Sequence, residues 1–203
     1  MTHAIAPRLI LASASPRRAE LLKQLHNDFQ VIPSTIEEQQ QAQETPSDYV
    51  KRLALDKALA VAETIEGPAL IIGSDTLIDC QGQVMEKPRD QLHFTQMLTQ
   101  LANGTHQVRT AVAVVAIADN GKRWQQVLEL VTDVFMGEIT AQQMQDYWAT
   151  GEPADKAGGY AIQGGAARFV RSISGSYTAV VGLPLYETGQ LIQRGRQWLE
   201  SLR

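Results

Sequence analysis

The sequence predicts an α/β fold, and three observations carry that expectation. Short apolar runs of strand character alternate with segments of helical periodicity, the pattern of helices packed against a sheet. Helix starts are marked by cap residues at Ser15, Thr45, Asp90 and Thr140. A strong hairpin turn, Asp119-Asn120-Gly121-Lys122, joins two long β segments, Val108 to Ala118 and Trp124 to Phe135.

In chain order, Leu9 to Ala12 reads as a buried strand, followed by a helix from Pro16 to about Leu25. Ser15 caps that helix and Pro16 suits its first position. Ile36 to Glu44 is polar and Gln-rich, a surface loop or cleft rim. Thr45-Pro46-Ser47-Asp48 supplies the cap, proline and early acid of a second helix, whose buried stripe is Val50, Leu53, Ala54, Ala58 and Val61. Leu70 to Gly73 is a short buried strand continued by Ser74 to Ile78, with Asp75 at its carboxyl end. Asp90 opens a helix carrying Phe94, Met97, Leu98 and Leu101 at helical spacing and ending at Asn103-Gly104. After the hairpin, Thr140 and Gln143 form a capping box for a helix reaching Thr150. A glycine-punctuated stretch, Gly151 to Gly165, leads to a strand near Arg168 to Ile173, and Pro184 begins the last helix. No repeat or low-complexity linker divides residues 1–203. They make a single domain in which the hairpin region is placed to form a second lobe beside a cleft.

Composition excludes several function classes. Hydrophobic residues are 44% and charged residues 20% of the 203, an ordinary globular balance. The apolar runs are far short of a membrane span, and no basic-then-apolar leader with a small-residue cleavage site opens the chain, so no membrane association is expected. A single cysteine, Cys80, rules out an internal disulfide framework and a cysteine-based zinc site, in keeping with a reducing cytoplasm. A net charge of −4 argues against non-specific nucleic-acid binding. Any phosphate is then bound in a local pocket.

Several residues stand where packing alone would not put them. Arg17 and Arg18 place two positive charges at a helix end that is already partly positive. A phosphate there would reverse the sign of that interaction, meeting backbone N–H groups and two guanidinium groups; the alternative is a solvated pair beside Glu20. Lys57 falls on the apolar stripe of the second helix, seven residues after Val50. It must snorkel at the stripe edge or meet an anion. An unpaired lysine there would make Lys57→Met neutral or stabilising. Asp75 lies between apolar segments at a strand end, where open α/β sheets bind ligands, although turn chemistry could also place it. Glu86-Lys87-Pro88 gives another acid and base, readable as a surface ion pair. Asp155-Lys156-Ala157-Gly158-Gly159-Tyr160 and Ile162-Gln163-Gly164 combine glycines that admit a ligand with a glutamine able to donate to and accept from a base edge. Together, Arg17, Arg18, Lys57, Lys87 and Lys156 could neutralise a polyphosphate, while Glu37, Glu38, Asp75 and Glu86 could hold a divalent ion and activate water. That combination suits phosphoanhydride hydrolysis by positioning and electrostatics.

Ser13-x-Ser15-Pro16-Arg17-Arg18, Ala54-x-x-Lys57-Ala58, Gly73-Ser74-Asp75-Thr76, Glu86-Lys87-Pro88, Asp155-Lys156-Ala157-Gly158 and Ile162-Gln163-Gly164 resemble the motifs of the Maf family, in order and over nearly the whole chain. The resemblance implies an elongated mixed twisted sheet with flanking helices and a central cleft, similar in architecture to inosine triphosphate pyrophosphatases. It also implies a homodimer acting on a small-molecule nucleotide with Mg²⁺ or Mn²⁺, releasing a nucleoside monophosphate and pyrophosphate. By the same resemblance Asp75 is the proton acceptor; Ser13, Arg18, Lys57, Lys87 and Lys156 are the candidate residues for the substrate phosphates. Glu37, Glu38, Asp75 and Glu86 are the candidate metal ligands. Arg17, Thr76 and Gln163 match the branch that hydrolyses dTTP and UTP rather than 7-methyl-GTP. The family is linked to limiting incorporation of modified nucleotides and to arrest of cell division. A nucleotide-binding regulator of septation without turnover is the alternative, disfavoured because anion binding alone gains nothing from nearby carboxylates.

Overall fold

In the computed structural model, which describes residues 7–202, the predicted alternation becomes a mixed sheet with helices on both faces. Strand β1 (Arg8–Leu11) leads to helix α1 (Pro16–Lys23), whose Ser15 cap accepts a hydrogen bond from the Arg18 amide. A two-residue strand, β2 (Gln30–Val31), runs parallel to β1; both of its residues are exposed, so no apolar pattern announced it. Helix α2 (Pro46–Ala62) starts at the Thr45 cap, and β3 (Ala69–Cys80) turns at Gln81-Gly82 into β4 (Gln83–Met85). Helix α3 (Gln91–Leu101) is capped by Asp90. The hairpin strands are β5 (Thr105–Ile117) and β6 (Arg123–Met136), each longer than its periodicity suggested. Helix α4 (Ala141–Ala149) carries the capping box of Thr140 and Gln143. Short 3₁₀ turns occupy the glycine-rich stretch before β7 (Val170–Ser174), α5 (Tyr177–Val181) and α6 (Leu185–Ser201).

The strand order is β2-β1-β3-β5-β6-β7, with β4 also on β3. The pairs around β1 are parallel and the rest antiparallel. Residues alternate across β3 with period two. Ile71 and Leu77 face the core under α2, whereas Leu70 and Ile72 face the core shared with α1 and α6. A third core lies around α3, α4, β4 and Phe169. Burial on both faces is why these strands read as near-continuous apolar runs rather than alternating ones.

One expectation is corrected by the sheet. Asp75 is not at a strand end: β3 pairs with β5 without a break from Ala69↔Ile117 to Asp79↔Gln107, which carries it through the polar Ser74-Asp75-Thr76. The end belongs to β1, which pairs only with Ala69 to Ile72 before turning off toward α1. On the same edge β4 pairs with Ile78 to Cys80. Between these two partners Gly73 to Leu77 has no neighbouring strand on this edge, and this gap opens the floor of the cleft.

Gly73 explains how α2 closes over that floor. A Cβ built on it would sit 2.1 Å from the Ala54 carbonyl oxygen and 2.8 Å from the Ala58 amide. Only glycine lets the helix backbone come so near the strand. That approach brings Lys57 within reach of Asp75.

Candidate active site

The cleft is about 340 Å³ and collects residues from both faces of the sheet through the gap in β3. Asp75 faces α2, where its Oδ1 accepts from Lys57 Nζ at 2.7 Å. The same ammonium lies 2.8 Å from Glu38 Oε1, contributed by the Gln-rich loop. Lys57 is 5% exposed and Asp75 6%, so Lys57 neither snorkels nor stands alone. Lys57→Met is therefore corrected from neutral to destabilising, because it would strand a buried carboxylate.

The loop that carries Glu38 is tied down by Arg52 of α2. Its guanidinium grips Glu44 with Nε at 2.6 Å and Nη2 at 2.8 Å, and Nη2 also reaches the Gln39 carbonyl at 2.9 Å. A fork of this kind fixes both distance and direction, so the loop carrying Glu38 is a positioned element.

Ser74 and Thr76 face the opposite side, toward α1 and α5. Arg18 Nε donates to the Gly182 carbonyl at 2.9 Å, Nη1 to Ser13 Oγ at 3.2 Å, and Nη2 approaches Thr76 Oγ1 at 3.5 Å. Ser74 Oγ donates to the Ala111 carbonyl at 2.8 Å and lies 3.0 Å from the same Gly182 carbonyl. Thr110 spends its only proton on the Ala179 carbonyl at 2.7 Å, so Thr76 is the donor across the 3.1 Å between the two hydroxyls. Loss of hydration lowers the Arg18 pKa, opposed by the charges of Asp75 and Glu38. At the start of α1, Ser13 Oγ takes the Ser15 amide and Ser15 Oγ the Arg18 amide. The positive charge here thus comes from side chains more than from an array of free amides.

Lys87, Lys156, Arg17 and Gln163 complete the lining, and Gln163 projects from an exposed turn. Lys156 also pairs with Asp155, whose carboxyl is held below its usual range mainly by that hydrogen bond. Five basic side chains (Arg17, Arg18, Lys57, Lys87, Lys156) face three acidic ones (Glu38, Asp75, Asp155). A cationic cleft in a chain of net charge −4 is a local anion site. Of the four candidate metal ligands, Glu38 and Asp75 meet at Lys57, while Glu37 and Glu86 lie off the lining. Glu86 instead borders a neighbouring depression with Lys87 and forms no ion pair with it among the described residues.

Sequence reasoning gave no role to Ser74, Thr110, Tyr160 or the Gly182 carbonyl. Tyr160 lines the cleft, and its hydroxyl lies 2.6 Å from His106 Nε2 within the third core. His106 Nδ1 is the one buried side-chain polar atom without a partner among the described residues. Burial pushes the His106 pKa from 6.5 down to about 4. Between those values the unfolded chain binds more protons than the folded one, so stability falls as pH drops through that window, by up to about 3 kcal/mol. Thermal melting from pH 7 to 4 should show this slope flattened in His106→Gln, which keeps a donor but does not titrate. An unchanged slope would assign the acid sensitivity to other groups.

The family described as Maf-like protein matches residues 8–195. A dTTP/UTP pyrophosphatase of Idiomarina loihiensis is 50% identical over 186 residues, covering 92% of this chain and 94% of the relative. The dTTP/UTP pyrophosphatase of Vibrio cholerae is 46% identical over 187 residues, covering 92% and 97%. Among solved structures, a dITP/XTP pyrophosphatase from Mycobacterium abscessus aligns at 16% identity and TM-score 0.40, covering 66% of this chain and 76% of that one.

Proposed function

Since the chain belongs to the Maf family, we propose that it is a nucleoside triphosphate pyrophosphatase that hydrolyses dTTP and UTP to the monophosphate and pyrophosphate. The observation that carries this reading is the buried Asp75–Lys57 pair, met by the exposed Glu38, at the floor of a cationic cleft. A site for anion binding alone would gain nothing from carboxylates, whereas hydrolysis needs a proton acceptor beside the phosphates. The relatives at 46–50% identity, named as dTTP/UTP pyrophosphatases, support the substrate.

In this mechanism Arg18, Lys87 and Lys156 bind the phosphate chain with Ser13. Lys57 offsets negative charge as it develops between the α and β phosphates. Asp75 takes the proton of the attacking water through the carboxylate oxygen that Lys57 does not hold. Gln163 meets the O4 and N3–H edge of the pyrimidine, with Arg17 and Thr76 as polar walls. Glu38, through the oxygen that Lys57 leaves free, would hold a divalent ion of the Mg²⁺ or Mn²⁺ kind, which typically takes one or two carboxylates together with substrate phosphates and water. No three His, Cys, Asp or Glu side chains gather into an all-protein cage among the described residues. When bound, such an ion supplies charge neutralisation and a more acidic water. No described helix is long and apolar enough to cross a membrane. The lone cysteine supports a cytoplasmic setting, and the family resemblance supports a homodimer.

The test is kcat/KM across the common triphosphates and 7-methyl-GTP, with Mg²⁺ or Mn²⁺ and the products identified. We expect dTTP and UTP to be turned over at similar rates. Purine triphosphates should be poorer, because they do not offer Gln163 the O4 and N3–H pattern of a pyrimidine. Orthophosphate plus diphosphate would refute the bond assignment. Preference for 7-methyl-GTP would refute the branch, and tight binding without pyrophosphate release would leave a nucleotide-binding regulator.

A further inference from the structure

Gln163 occupies the tip of a tight turn in which the Gly164 amide donates to the Ala161 carbonyl at 3.0 Å. Both feet of this turn are held by one pair of side chains. The Tyr147 hydroxyl accepts from the Ala161 amide at 3.2 Å and donates to Glu152 Oε1 at 2.5 Å. The Glu152 carboxyl group in turn accepts from the Gly165 amide, with both oxygens at 3.1 Å. Glu152 is the first residue of the 3₁₀ turn Glu152–Asp155. It therefore cinches together the start and the end of the segment that bears Lys156, Tyr160 and Gln163.

The pair rests on a rigid base. Tyr147 is fully buried on α4, with its ring edge-on to Phe94 and Phe169 at centroid distances of 6.0 and 5.7 Å. The fit over the turn is close as well: a Cβ on Gly164 would sit 2.2 Å from Glu152 Oε1. Neither Tyr147 nor Glu152 lines the cleft, so the arrangement has no direct contact to offer a nucleotide. Its effect on one must pass through the turn.

We propose that Glu152 and Tyr147 are positioning residues for base recognition, holding the Ala161–Gly165 turn so that Gln163 presents its amide to the nucleotide base. The proposal rests on the reading of Gln163 as the base contact. Glu152→Gln replaces one of the two oxygens facing the Gly165 amide with an NH₂ group that cannot accept, and it removes the charge that strengthens the bonds to the Tyr147 hydroxyl and that amide. Tyr147→Phe keeps the ring packing and removes only the hydroxyl. A misplacement of about 1 Å at a substrate-positioning group can cost up to roughly a hundredfold.

The experiment is a double-mutant cycle on kcat and KM for dTTP, UTP and dCTP, with melting temperatures recorded for every variant. Glu152→Gln and Tyr147→Phe should each raise KM for dTTP and UTP about tenfold, narrow the preference over dCTP, and change kcat less than twofold. Combined with Gln163→Ala, neither should add to the loss that Gln163→Ala causes alone, because both act through it. Losses that multiply, or variants in which kcat falls equally for every nucleotide, overturn the proposal and make the pair a structural support. If Gln163→Ala itself leaves KM and selectivity unchanged, the failure lies in the base-contact assignment and not in the clamp. Should Glu152→Gln fold poorly, Tyr147→Phe carries the same cycle.

Discussion

Asp75→Asn is expected to lower kcat by about two to four orders of magnitude while leaving the fold intact, the range typical for loss of a general base. Asn has the shape of Asp but no basic oxygen with which to accept the proton from water. The fold should tolerate the change for two reasons. The backbone at 75 stays paired with Ala111 in the middle of a long ladder. Lys57, deprived of one partner, still has Glu38 at 2.8 Å. Binding of a non-hydrolysable dTTP analogue should persist, because the cationic wall of the cleft is untouched. Single-turnover kinetics with dTTP would measure the loss, and near wild-type kcat in a clean preparation would remove Asp75 from the catalytic role.

Lys57→Met should reduce both activity and stability, and the two losses have separable causes. Removal of the ammonium leaves the Asp75 carboxylate 6% exposed with no cation in hydrogen-bond contact among the described residues. Breaking a buried pair in this way typically costs about 3 kcal/mol. The same substitution removes a positive charge from the developing phosphate charge, an effect of about a hundredfold or more on kcat. The double variant Lys57→Met/Asp75→Asn separates them: it should recover most of the lost stability, since no uncompensated charge remains, and none of the activity. Denaturant unfolding of the four proteins provides the measurement. Stability of Lys57→Met equal to wild type would mean that the buried pair contributes nothing to folding.

Much of the local structure was legible from the chain. The starts of α1, α2, α3 and α4 were marked by Ser15, Thr45, Asp90 and Thr140 because a cap is a contact over three residues, written wholly within its own segment. The hairpin turn was readable for the same reason. The cationic residues of the cleft were visible as misfits, charges placed where helix packing and helix ends disfavour them. The five-residue α5 and the two-residue β2 were not visible, since neither is long enough to show a period. Nor was the role of Glu152, because an acid at the start of a glycine-rich stretch looks the same whether or not a buried tyrosine lies beneath it.

The sequence by itself determined which chemistry was available: the capped helices, the apolar strands, and the inventory of Arg17, Arg18, Lys57, Asp75, Lys87, Lys156 and Gln163. Only the tertiary structure decided how those groups meet. Asp75 and Thr76 are neighbours in the chain but lie on opposite faces of β3, one reaching Lys57 on α2 and the other approaching Arg18 on α1. They serve one cleft because β1 leaves the sheet after Leu11 and β4 joins it only at Ile78. The physical reason is range. Caps and turns are set by interactions over three or four residues, whereas the pairing register of β3 and the approach of α2 over Gly73 depend on partners far along the chain, and no local pattern encodes where those partners come to rest.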